Sequence, residues 1–247
     1  MTDTTAHTRV ALVTGGSGGI GKAVVRRLAA DGYAVAVHYA GNKSRADALV
    51  EEVVAAGGRA ISVGGDVADE QAMIDAFDAV ERAFGGIDVV VNTAGVMILG
   101  PVAEYSLDDF DTLVRTNVRG TFVVSQQAAR RVRDGGAIIT FSTSVTRTQF
   151  PHYGAYVASK SAVEGLTMIL ARELRGRNIT VNTVAPGPTA TPLFLEGKSD
   201  EAVQGLANAV PLERLGQPDD IAETVAHLAG PARWINGQTV FVNGGLA

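Results

Sequence analysis

With 247 residues, 46% hydrophobic and 19% charged, the chain has enough apolar material for the large core of a single α/β domain. A net charge of −5 argues against a nucleic-acid partner, because phosphate binding leans on an excess of Lys and Arg. The lack of cysteine rules out disulfides and thiolate metal sites and is compatible with a reducing cytosol.

Met1–Thr8 reads as a short polar tail without the apolar segment of a secretory signal. No run approaches the roughly 18 consecutive apolar residues that a membrane span needs. A cytoplasmic protein with a tail over residues 1–8 and one domain over 9–247 is therefore expected. Short β-branched runs then alternate with helical patterns. In chain order these are strand Val10–Thr14, helix Ile20–Asp31, strand Ala34–Tyr39, helix Ser44–Ala56, strand Ala60–Gly64 and helix Asp69–Phe84. Strand Ile87–Asn92, helix Ser106–Arg133, strand Ala137–Ser142, helix Tyr153–Arg175 and strand Ile179–Val184 follow, and helix Pro218–Ala229 and strand Thr239–Val242 close the chain. Most strands are continuously apolar, as in Asp88-Val89-Val90-Val91, which is the signature of a parallel sheet covered on both faces. Right-handed crossovers then lead to one doubly wound Rossmann domain, with a seven-stranded parallel sheet in the order 3-2-1-4-5-6-7. The stretch Ala185–Ala209, opened by Pro186-Gly187-Pro188, reads as an irregular substrate loop that serves as a lid.

Thr14-Gly15-Gly16-Ser17-Gly18-Gly19-Ile20-Gly21 joins the first strand to the first helix. Backbone N–H groups at a helix N-terminus cradle a pyrophosphate only where no Cβ intrudes, so the glycines predict a dinucleotide site. NAD-preferring folds carry an Asp or Glu at the end of the second strand. Here the sequence is His38-Tyr39-Ala40-Gly41-Asn42-Lys43-Ser44-Arg45, with no carboxylate before Asp47. Tyr39, Asn42, Lys43 and Ser44, with Arg45 beside them, favour a 2′-phosphate: NADP(H) is the expected cofactor and NAD(H) the alternative.

Tyr156-Val157-Ala158-Ser159-Lys160 places a phenol and an ammonium four residues apart, on one face of a predicted helix. A lysine held there favours the phenolate and draws the tyrosine down from about 10 toward a value useful for acid–base work. A Ser142-Thr143-Ser144 cluster lies just upstream. His7, His38, His152 and His227 show no metal or triad spacing and read as structural or solvated, with His152 alone near the predicted pocket. No metal site is expected.

These motifs, with Asp66-Val67, Asn92-Thr93-Ala94-Gly95, Asn117, Pro186-Gly187 and the Trp234–Gly245 tail, make the chain resemble the short-chain dehydrogenase/reductase family along essentially its whole length. The resemblance implies that Tyr156 exchanges a proton with the substrate oxygen and that Lys160 lowers the Tyr156 pKa and binds the nicotinamide ribose. It also implies that Asn117 supports a water leading to Lys160. A hydroxyl holds the carbonyl, with Ser144 the choice and Thr143 its rival, while Ser142 reads as the end of a strand. For the cofactor it implies Gly15, Ser17, Gly18, Gly19, Ile20 and Gly21 at the phosphates, and Asp66 and Val67 at the adenine. Asn92, Ala94 and Gly95 would form the floor, with Pro186, Gly187 and Thr189 among the other residues that bind the cofactor, and a homotetramer is implied as well. Thr93 stands where the family commonly has a second asparagine, a change expected to tune strand contacts only.

The expected activity is NADP(H)-dependent interconversion of a ketone or aldehyde and an alcohol. Alternatives are 3-oxoacyl-thioester reduction, sugar or polyol oxidation, and a non-catalytic cofactor-binding sensor or scaffold. Val96, Met97, Val145, Phe150, Pro151, Tyr153, Leu193 and Phe194 are expected to flank an apolar pocket, with Arg147 as its one cation.

Overall fold

The computed structural model describes residues 8–247, so most of the predicted tail, His7 included, lies outside the described residues. The described chain forms β1 (Val10–Thr14), α1 (Gly19–Ala30), β2 (Ala34–Tyr39), α2 (Lys43–Ala55), β3 (Arg59–Gly64), α3 (Glu70–Phe84) and β4 (Ile87–Asn92). It continues through α4 (Leu107–Val114), α5 (Gly120–Arg131), β5 (Val132–Phe141), α6 (Val145–Thr148) and α7 (Gly154–Glu173). Last come β6 (Thr180–Pro186), α8 (Pro192–Leu195), α9 (Asp200–Ala209), α10 (Pro218–Ala229) and β7 (Thr239–Val242).

The seven strands form one sheet in the order β3-β2-β1-β4-β5-β6-β7, and every pairing is parallel. Along β1, Ala11 and Val13 enter one core with Val24 and Leu28 of α1 and Val225 of α10. Val10 and Leu12 enter the other, with Phe77 of α3, Val124 of α5 and Leu170 of α7. Each fully buried side chain of this kind contributes about 1.5–3 kcal/mol over leaving it in water. Burial on both faces is why these strands read as unbroken apolar runs. Local signals set the helix ends: the Asp69 side chain accepts from Ala72 N at the start of α3, and Gly85 closes it in the left-handed region at φ 83°.

Three expectations are corrected. The predicted helix Ser106–Arg133 is interrupted by a π turn at Arg115–Arg119 and stops at Arg131, where β-branched Val132 pairs with Ile87 to open β5 early. The π turn gives the chain one extra residue per turn and brings Asn117 into the interior. The stretch 185–209 is not irregular throughout, because it holds α8 and α9, each started by a side chain that accepts from a backbone N–H, Thr191 and Ser199.

Strand order reverses around β1 and β4, and the loops that follow their carboxyl ends open the crevice where ligands bind in such sheets. The glycine turn after β1, Thr93–Gly95 after β4, the hydroxyl cluster after β5 and Pro186–Thr191 after β6 all lie at this edge.

Candidate active site

The glycine turn is a cradle that side chains would fill. Gly15 has φ 64°, a conformation glycine adopts without strain, and Gly18 N donates to Gly15 O at 3.0 Å to close the turn. A Cβ on Gly21 would lie 2.3 Å from Gly15 O and 2.7 Å from Thr93 Oγ1. Thr93 Oγ1 in turn donates to Thr14 O at 2.6 Å, so Thr93 ties β4 to the turn. Asn92 accepts from Thr14 Oγ1 at 2.5 Å and donates to Thr121 Oγ1 at 3.0 Å, locking β1, β4 and α5 beneath the site.

His38, read from sequence as structural or solvated, is buried directly under this turn. Its backbone carbonyl accepts from Gly16 N at 3.0 Å, and its Nδ1 faces Gly15 N–H at 3.4 Å. A ring nitrogen that accepts must be unprotonated, and burial pulls the imidazole down to about 4. Between about pH 6.5 and 4 the unfolded chain therefore binds the extra proton, so stability falls as pH falls through that window, by on the order of 3 kcal/mol. His38→Asn is expected to flatten the decline in melting temperature between pH 7 and 4.5. A variant whose melting temperature falls as steeply as the wild type's would clear His38 of this role.

At the end of β2 the Tyr39 ring packs against Gly64, where a Cβ would lie 2.8 Å from it. Asn42 and Ser44 build the start of α2: Asn42 Oδ1 accepts from Arg45 N at 3.0 Å and from Ser44 Oγ at 2.9 Å. Lys43 pairs with Asp47 at 2.6 Å and stays 65% exposed. Asp66 accepts from Ala68 N at 2.8 Å and ion-pairs with Arg115. Burial alone would raise the Asp66 carboxyl, but the Ala68 N–H and the Arg115 guanidinium outweigh it and hold the group below its usual range. Val67 is buried against Gly120.

Tyr156 and Lys160 sit on α7 and border one cleft of about 920 Å³, open to solvent, together with Ser142, Thr143 and Ser144. Ser144 Oγ donates to Ala185 O at a long 3.3 Å, and Thr143 Oγ1 accepts from Val145 N at 3.3 Å. Ser142 is engaged elsewhere, donating to Glu164 at 2.6 Å. Asn117 is fully buried, exchanges hydrogen bonds with Val96 N and Val96 O at 2.9 Å each, and donates to Ser159 Oγ at 3.1 Å. Its Oδ1 and the Lys160 Nζ converge on Gly95, where a Cβ would meet them at 3.2 and 3.3 Å.

In this geometry the Tyr156 phenol is raised rather than lowered, burial outweighing the neighbouring lysine. Lys160 Nζ donates to Phe141 O at 3.0 Å and stands 5.8 Å from the Tyr156 ring centroid. Burial pushes the Tyr156 phenol well above its ordinary value, with Tyr153 acting in the same direction, and burial pulls the Lys160 ammonium down to about 8. The phenol is therefore held protonated at neutral pH.

Val96, Met97, Val145, Phe150, Tyr153, Leu193 and Phe194 border the cleft, whereas Pro151 and His152 are not among its lining residues. Arg147 is absent from the lining as well, because its guanidinium lies 5.4 Å over the Phe241 ring. Pro186, Gly187 and Thr189 line the cleft from β6. Leu206, Leu246 and Thr191 line it too, and no local sequence signal marks them. A Cβ on Gly19 would lie 2.8 Å from the Thr191 side chain, so the segment after β6 rests on the glycine turn.

A family model described as enoyl-(acyl carrier protein) reductase matches residues 15–247. A short-chain type dehydrogenase/reductase of Picea abies is 43% identical over 248 residues, 96% of this chain and 92% of that protein. The 3-oxoacyl-[acyl-carrier-protein] reductase FabG of Staphylococcus aureus is 41% identical over 242 residues, 97% of this chain and 98% of that one. A short chain dehydrogenase from Burkholderia cenocepacia J2315, solved in complex with NADP, is 42% identical and covers 97% of this chain and 98% of its own, with a TM-score of 0.90. The chain belongs to the short-chain dehydrogenase/reductase family and is an NAD(P)-dependent oxidoreductase.

Proposed function

We propose that the protein interconverts an uncharged ketone or aldehyde and its alcohol, with NADP(H) as the preferred cofactor and Tyr156, Lys160, Ser144 and Asn117 as the catalytic set. The observation that carries this reading is the meeting of a protonated phenol, a lysine and two adjacent hydroxyls on an apolar-walled cleft beside the glycine turn. A turn that every added Cβ would crowd suits a pyrophosphate, so Gly15–Gly21 would hold the cofactor phosphates, with Asp66 and Val67 at the adenine. Asn92, Ala94, Gly95, Pro186, Gly187 and Thr189 would border its nicotinamide half. When bound, the cofactor supplies or takes up the hydride.

The chain's own groups handle the oxygen. Ser144 donates a hydrogen bond to the carbonyl oxygen and orients it, and Tyr156 gives that oxygen its proton, or takes it back from the alcohol. Lys160 offsets the charge left on the tyrosine oxygen, and Asn117 fixes the α7 backbone through Ser159, whose hydroxyl donates to Tyr156 O at 2.7 Å. Val96, Met97, Leu193 and Phe194 give a polyol few partners, and Arg147 is turned onto Phe241, which favours an uncharged compound. Likeness to the Staphylococcus aureus reductase supports 3-oxoacyl-thioester reduction as the second reading. A sensor or scaffold without turnover would have no use for the full catalytic set.

NADP(H) preference rests on the carboxylate-free end of β2 and on the NADP bound by the Burkholderia cenocepacia relative. Lys43 is paired with Asp47, but an exposed, solvent-screened pair holds its lysine weakly, so a 2′-phosphate competes readily for it. Steady-state kinetics over a panel of ketones, aldehydes and 3-oxoacyl thioesters should give kcat/KM at least about tenfold higher with NADPH than with NADH. Lys43→Ala should narrow that gap by reducing NADPH efficiency alone. Equal or better efficiency with NADH would overturn the preference, and absence of turnover across the panel would overturn the activity.

A further inference from the structure

We infer that Glu164 is a positioning residue that fixes the hydroxyl cluster after β5 to the helix carrying Tyr156. Tyr156, Lys160 and Glu164 follow one another at four-residue spacing on α7, so they stand on one face of that helix. Two of them grip consecutive residues at the end of β5. Lys160 Nζ donates to Phe141 O at 3.0 Å. One turn further on, Glu164 Oε1 accepts from the Ser142 hydroxyl at 2.6 Å and from the Thr146 hydroxyl at 3.0 Å.

The Thr146 hydroxyl also donates to Thr143 O at 2.9 Å. It carries one proton, which is shared between the Glu164 carboxylate and the Thr143 carbonyl. One carboxylate oxygen thus meets the hydroxyls of residues 142 and 146, on either side of Thr143 and Ser144. Of the cluster's other two hydroxyls, Thr143 accepts from Val145 N and Ser144 makes only the long 3.3 Å bond to Ala185 O. Lys160 acts on the Tyr156 oxygen in the proposed reaction, so Glu164 is the tie on this face that the chemistry does not use. A displacement of about 1 Å between the proton donor and the group orienting the carbonyl is enough to cost up to about a hundredfold in rate.

This inference rests on the proposed roles of Tyr156 and the Thr143–Ser144 hydroxyls. Its test uses the full chain with NADPH and the best carbonyl substrate of the panel. Glu164→Ala should lower kcat by about ten- to a hundredfold and raise KM for the carbonyl, while NADPH affinity by fluorescence titration stays at the wild-type value. Glu164→Gln, whose amide oxygen accepts from both hydroxyls, should restore most of that rate. In a Ser142→Ala/Thr146→Val background, Glu164→Ala should cost no more than about a further twofold. If Glu164→Ala does not fold, the Ser142→Ala/Thr146→Val variant carries the same expectation for kcat. Wild-type kcat in either variant, equal losses for the Gln and Ala substitutions, or an undiminished loss in the double background would overturn the inference. Wild-type kcat in Glu164→Ala beside an inactive Tyr156→Phe overturns this inference alone, whereas an active Tyr156→Phe overturns the catalytic reading on which it stands.

Discussion

Tyr156→Phe should lower kcat by a factor of about 10²–10⁴, the range for losing a positioned acid–base group. The substitution keeps the ring, its edge contact with Tyr153 at 6.4 Å between centroids, and the helix that carries both. What it removes is the Tyr156 phenolic proton, which burial holds in place at neutral pH. Lys160 does not replace it, since its Nζ donates to Phe141 O and its role in the proposed reaction is electrostatic. Cofactor affinity should therefore stay within about twofold of wild type while turnover collapses. Measuring kcat at saturating substrate beside a fluorescence titration of NADPH separates the two. Turnover within threefold of wild type would remove Tyr156 from the role of acid.

Gly21→Ala should do the reverse, damaging the binding site before the chemistry. The new Cβ would lie 2.3 Å from Gly15 O and 2.9 Å from Gly15 C, and backbone atoms in a closed turn cannot swing aside as a side chain tip can. Relief comes only by opening the turn, which breaks the cradle and strains its contact with Thr93. Overpacking of this kind costs about 1–3 kcal/mol, so NADPH binding should weaken by about tenfold or more. Melting temperature should fall by several degrees, at roughly 2–4 °C per kcal/mol for a domain of this size. A Gly21→Ala protein that binds NADPH like the wild type would show that the turn yields where its geometry says it cannot.

The sheet was legible because its strands are buried on both faces. Val10–Thr14, Ala34–Tyr39, Ile87–Asn92 and Thr239–Val242 stand where the β-branched runs put them. Illegible parts depend on contacts between distant segments. Nothing local distinguishes Arg115–Arg119 from ordinary helix, since the π turn follows from fitting Asn117 between Val96 and Ser159. The helix α9 was legible in principle, with Ser199 before Asp200 and Glu201, but Gly197, Gly205 and the preceding Pro-Gly-Pro masked it. Tyr156, Lys160 and the glycine turn announce themselves through residue type and spacing. His38 beneath the turn and Thr191 above it do not, because their places come from tertiary packing.

The resting of Thr191 on Gly19 joins the two halves of the site through one short segment. The same few residues roof the phosphate cradle and, through Leu193 and Phe194, wall the carbonyl cleft. Thr191, which touches the glycine turn, stands two residues before Leu193 and three before Phe194, so one short segment meets both places. The phosphate turn and the carbonyl cleft therefore share one wall, and a change in that wall is a change in both.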